Sequence, residues 1–151
     1  MRRTAASLAL ASALAATAVV VAPTTTSAST PPVKIYKVQY DSPGKDTGSN
    51  TSLNSEWVVI KNMTSTNRSL TGWTLRDRTG YTYRFPTFTL KAGATVTVRT
   101  GKGTATSTQR YYNRAWYVWN NTGDTAYLKD SKGYLKHSCS WTSVGTGSKY
   151  C

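Results

Sequence analysis

The chain has 151 residues, the length of one domain and not of several. Its 19 Lys and Arg outnumber 6 Asp and Glu, for a net charge of +13, which favours anionic partners such as nucleic acid, teichoic-type polymers, acidic polysaccharides or anionic membranes. One His and two Cys with no CxxC spacing exclude the usual zinc and redox motifs.

In chain order, the first predicted element is a secretory signal over residues 1–28. Arg2 and Arg3 give a positive start, residues 4–22 carry no charge, and Thr26-Ser27-Ala28 offers a small-residue cleavage site. The apolar run is long enough for a membrane anchor, but Ala and Thr hold little lipid affinity beside Leu or Ile. Cleavage after Ala28 removes Arg2 and Arg3 and leaves 17 basic residues against 6 acidic ones, a net +11. The expected mature chain has no membrane span and is secreted. Residues 29–33 read as a flexible linker, and residues 34–151 as one folded domain. Its basic residues run from Lys34 to Lys149 without a cluster, as on a solubilising surface.

Within the domain, short runs rich in Val, Ile, Tyr, Trp and Thr alternate with Gly, Asn, Asp and Ser clusters, the pattern of strands joined by turns. The first strand spans residues 33–40, and a polar loop spans 41–54. Residues 56–62 form the second strand, with Val58 and Ile60 on one face, and residues 70–76 the third, with Trp73 and Leu75 sharing a face. In residues 81–85, Tyr81, Tyr83 and Phe85 point inward until Pro86 ends the run. Residues 94–100 turn Val96 and Val98 inward, residues 101–108 form a loop, and residues 125–130 and 134–141 make the last pair. Roughly seven to eight strands fit an all-β, antiparallel two-sheet sandwich. Cys139 and Cys151 enclose 11 residues that include Gly145 and Gly147. In an oxidising space they are expected to bridge and tie the chain end to the last strand.

Several blocks in order carry a resemblance: Glu56-Trp57-Val58-Val59-Ile60-Lys61-Asn62, Leu70-Thr71-Gly72-Trp73-Thr74-Leu75-Arg76-Asp77, Phe85-Pro86, Leu90 with Gly93, Trp119-Asn120-Asn121-Thr122-Gly123-Asp124, then Leu128, Asp130 and Gly133. Over residues 34–141 the chain resembles the lamin tail domain of nuclear lamins and exported bacterial proteins. That resemblance implies an immunoglobulin-like sandwich with no fixed biochemical activity. One departure is His137, where relatives often carry Asp.

No catalytic set is legible. The acids are Asp41, Asp46, Glu56, Asp77, Asp124 and Asp130, and none forms a marked pair of the kind glycoside hydrolysis needs. His137 is the one His; Ser138 beside it points to the other face of a strand, and no nucleophile elbow surrounds it. No EF-hand spacing is present. The expectation is a non-enzyme without cofactor or metal, an interaction or structural module of the envelope or extracellular space. The partner classes left open are extracellular proteins, cell-wall polymer and DNA.

An alternative is binding of an anionic polymer, DNA or acidic polysaccharide. Arg110, Tyr112, Arg114, Trp116 and Tyr117 crowd one segment, and aromatics interleaved with Arg can stack on bases and reach phosphates. The same rings can stack on sugars, or fill the core. Trp119 is expected in the core, with Tyr112 and Trp116 exposed.

Overall fold

The computed structural model describes residues 29–142 and 147–151. The predicted signal and Gly145 of the cysteine loop lie outside these residues. The strands are β1 (Val33–Gln39), β2 (Trp57–Asn62), β3 (Arg68–Ser69), β4 (Thr74–Arg76), β5 (Thr82–Arg84), β6 (Thr89–Leu90), β7 (Thr95–Arg99), β8 (Gln109–Tyr111), β9 (Gly123–Lys129), β10 (Leu135–Thr142) and β11 (Ser148–Tyr150), with one short helix, α1 (Asn50–Asn54). A five-stranded sheet in the order β11-β1-β2-β7-β8 packs on a four-stranded sheet in the order β10-β9-β4-β5, and β3 pairs with β6. Every pairing is antiparallel except β7 with β8. The fold is the all-β sandwich expected.

Alternation drives the layers. Val58 and Ile60 in β2 and Val96 and Val98 in β7 face the interior, opposite Leu75 in β4 and Ala126 and Leu128 in β9, and all are buried. Burying each such Val, Leu or Ile contributes about 1.5–3 kcal/mol. Ile60→Ala at this centre would cost about 2–5 kcal/mol through lost contacts and a cavity. Aromatic rings close one end of the core: Tyr40 stacks on Trp141 at 5.0 Å and Trp119 meets Trp141 edge-on at 5.9 Å.

β1 begins at Val33, the last residue assigned to the linker, and Val33 is buried. Its pairing with β2 slips by one residue between Ile35 and Lys37, a bulge at Tyr36. Ile35 and Val38 stay inside, and both Tyr36 and Lys37 between them lie partly exposed. Bulges re-aim side chains in this way.

Three expectations need correction. The loop over 41–54 contains α1, whose N-cap Ser49 accepts the Ser52 amide and whose Leu53 is buried. Tyr81 does not point inward: it precedes β5 and is exposed, because Asp77 captures the amides of Gly80 and Tyr81 at 2.7 and 2.6 Å and curls the turn outward. The segment after residue 108 also adds a strand, β8, parallel to β7.

A buried amide, a glycine turn and a disulfide hold the frame. Asn62, fully buried at the end of β2, donates to the carbonyls of Thr66, Leu90 and Lys91 and accepts from the Thr64 amide. Gly72 adopts φ of 77°, and a Cβ there would stand 3.1 Å from Ser131, so a side chain meets both backbone strain and a neighbour. Cys139 and Cys151 are disulfide-bonded. The bridge joins β10, at the edge of one sheet, to the chain end just after β11, at the edge of the other.

Candidate functional site

The segment from Tyr111 to Asn121 is held at both ends and arches between them. At its start, the amides of Tyr112, Asn113 and Arg114 donate to the carbonyls of Arg99, Gly101 and Thr100. At its end, the amides of Val118 and Trp119 donate to the Glu56 carboxyl at 3.1 and 2.8 Å, and the Thr100 hydroxyl donates to the same group. Glu56 is fully buried immediately before β2. Desolvation pushes its pKa up to about 7, against the pull of those three donors, with a further push from Asp46.

Between the anchors, Trp116 stands out at 62% exposure. Its ring meets Tyr117 edge-on at 5.5 Å. The Tyr117 hydroxyl shares a hydrogen bond with Ser52 and accepts the Gly48 amide at 3.3 Å, so α1 braces the pair. Gly48 is required here: its φ is 69°, and a Cβ would press to 2.7 Å from the Trp116 ring. Across the gap stands Tyr81, with the Arg114 guanidinium 4.0 Å over its ring.

These groups bound an open cleft of about 430 Å³ lined by Asp46, Thr79, Tyr81, Trp116, Asn120 and Asn121 among others. Trp119 lines it too, and its indole N–H makes no hydrogen bond among the described residues. The wall is rigid. Asp124 accepts the amides of Arg78, Asn120 and Thr125, and the Asn121 side-chain amide donates to Asp41 at 2.9 Å. The charged side chains lining the cleft are Asp46 and the buried Asp124, and the Arg114 guanidinium stands beside it over Tyr81, so the site presents rings and amides with charge of both signs at its margin.

The five candidate residues do not share one face. Arg114, Trp116 and Tyr117 gather at the cleft. Arg110 lies instead over Phe88 at 4.3 Å and donates to the Thr106 carbonyl. Tyr112, expected to be exposed, packs against the core beside Trp119 and Tyr83, and its hydroxyl donates to the Leu75 carbonyl at 2.8 Å. Burial raises its pKa well above the ordinary tyrosine value. A Tyr with a satisfied hydroxyl can fill the gap between two sheets as Phe would. Trp119 is in the core, as expected.

Sequence reasoning missed Tyr81, Asn120, Asn121 and Asp46 as cleft neighbours, and Glu56 as the anchor. An acid heading an apolar strand was the available signal for Glu56. His137 is half-buried in β10, with its pKa lowered by burial and by Lys34. Among the described residues no three or more His, Cys, Asp or Glu gather to hold a metal, and no helix is long and apolar enough to cross a membrane.

Compared with known families, residues 26–143 match the model of the Lamin Tail Domain. Comparison with curated proteins gives no match.

Proposed function

Since the chain belongs to the lamin tail domain family, we propose that it is an exported, non-catalytic interaction module whose contact site is the cleft beneath Trp116, and that the ligand there is a neutral sugar chain of the envelope or extracellular space. The family is a non-enzymatic immunoglobulin-like domain type, which supports binding over turnover. The disulfide fits an oxidising compartment, and the signal read in residues 1–28 gives the route.

The observation that carries the reading is the exposed Trp116 ring, braced by Tyr117 and Gly48 over amide and carboxylate groups. An aromatic platform offers apolar area to a sugar face, while a few fixed polar groups take its hydroxyls. Asn120 and Asn121 supply polar amide groups and Asp46 an acceptor at the cleft. Arg110 and Tyr112 lie away from the cleft, so the continuous basic and aromatic run that the anionic-polymer alternative needs is not assembled at this segment.

The test is retention of the purified protein on insoluble neutral polysaccharides, cellulose, chitin and de-acidified cell wall, with Trp116→Ala beside it. Retention that persists at high salt and is lost in Trp116→Ala is the expected result. Equal retention of both, or retention of neither, would remove the sugar reading and leave a protein-contacting module.

A further inference from the structure

A second surface lies on the outer face of the five-stranded sheet, remote in sequence from the arch that carries Trp116. The five strands of this sheet contain no Asp or Glu: VKIYKVQ, WVVIKN, TVTVR, QRY and SKY. The acids sit elsewhere: Glu56, Asp77 and Asp124 are buried, Asp41 and Asp46 follow β1, and Asp130 caps the β9–β10 turn. The basic excess is therefore uncompensated on this face.

Its cations alternate with rings. The bulge at Tyr36 turns both Tyr36 and Lys37 outward. Lys34 and Lys61 are direct cross-strand partners, and both ammonium groups lie over the one Tyr36 ring, at 5.9 and 4.9 Å. Lys37 lies between Tyr150 at 4.6 Å and Trp57 at 5.6 Å. Tyr150 meets Tyr36 edge-on and is 65% exposed. Like charges placed directly opposite destabilise a sheet, and among the described residues the one ion pair is Lys136 with Asp130. Lys34 and Lys61 thus set two like charges on one ring with no carboxylate paired to either among the described residues, a place that an anion seated between them would neutralise.

We infer that this face binds single-stranded nucleic acid, with backbone phosphates at Lys34, Lys61 and Lys37 and bases against Tyr150, Tyr36 and Trp57. Three cations with three rings match a polymer that brings one anion and one planar π-face per unit, and a flat sheet bearing exposed rings is a surface on which unpaired bases stack. An acidic polysaccharide would neutralise the lysines but bring no π-face to the rings. The inference uses none of the residues that line the cleft.

The experiment is a titration of the purified protein with fluorescent oligo-deoxythymidine and, separately, heparin across a salt series. Three phosphate contacts give a slope of log affinity on log salt of about −2 for a single strand. Lys34→Gln with Lys61→Gln should reduce that slope by about 1.4. Tyr150→Ala, at an exposed ring, should weaken oligonucleotide binding about tenfold while leaving the slope unchanged. Trp116→Ala should change neither, which separates this face from the cleft. Heparin bound as tightly as the oligonucleotide, with Tyr150→Ala without effect, would make the face an acidic-polysaccharide or generic charge surface and overturn the inference. Absence of oligonucleotide binding at low salt would overturn it as well.

Discussion

The Trp119 amide donates to the buried Glu56 carboxyl at 2.8 Å, joining the start of β2 to a chain segment more than sixty residues away. The contact fixes the arch that presents Trp116, so a single acid links core stability to site geometry. Removing it in Glu56→Ala leaves two buried amides and the Thr100 hydroxyl without their acceptor. The expected cost is about 3–5 kcal/mol by denaturant unfolding, with Trp116 losing its fixed position.

Glu56 also sets a pH dependence. Its pKa rises from 4.5 to about 7 on folding, so the native state holds its proton over a range where the unfolded chain has released it. Stability from this group is greatest below pH 4.5 and falls as pH rises to about 7, by about 3 kcal/mol. His137, lowered by burial and by Lys34, acts in the opposite sense just below 6.5, its contribution fading as pH falls. Desolvation pushes Asp130 up, but the Tyr134 and Lys132 amides and Lys136 together outweigh it and hold the carboxyl below 3.8, so it acts only at lower pH. Thermal unfolding from pH 4.5 to 7.5 should therefore slope downward in the native sequence and less so in Glu56→Gln. Parallel curves would show that Glu56 folds ionised.

Asn62 gives an ordered pair of variants. Its side-chain amide donates to three carbonyls while its oxygen accepts from Thr64. Asn62→Ala should cost about 2–3 kcal/mol. Asn62→Asp keeps the acceptor yet sets a carboxylate against three carbonyl oxygens, so it should be the worse of the two. Chemical denaturation that ranks them the other way would show that the site relaxes around the acid.

Reduction of Cys139–Cys151 should lower stability by about 3 kcal/mol, the chain-entropy value for a loop of this size. The bridge spans only 12 positions and ties down the β11 end, so amide exchange should accelerate first in β11 and at Cys151, whose amide donates to the Tyr36 carbonyl. Exchange that rises uniformly would make the bridge a global and not a local clamp.

The alternating strands were legible because Val58, Ile60, Val96 and Val98 sit at period two with polar partners between them, and Trp119 and the cysteine pair followed from composition and spacing. Helix α1 was not, because its five residues, Asn-Thr-Ser-Leu-Asn, are too few for a helical period and carry a single apolar side chain. Tyr112 and Trp116 look alike in sequence, yet one hydroxyl finds the Leu75 carbonyl inside the sandwich and the other ring finds Gly48 at the surface. The lysine face was hidden for two reasons. Its members come from β1, β2 and β11, far apart in the chain, and the bulge at Tyr36 breaks the parity by which strand faces are read.

The claim that the cleft is the contact site is tested most directly by amide and indole chemical-shift mapping of the labelled protein against soluble neutral oligosaccharides. Shifts confined to the Trp116 and Trp119 indoles, Asp46, residues 79–81 and Asn120–Asn121 are expected. Saturating sugar that leaves the Trp116 indole unmoved, or shifts gathered on other faces, would contradict it.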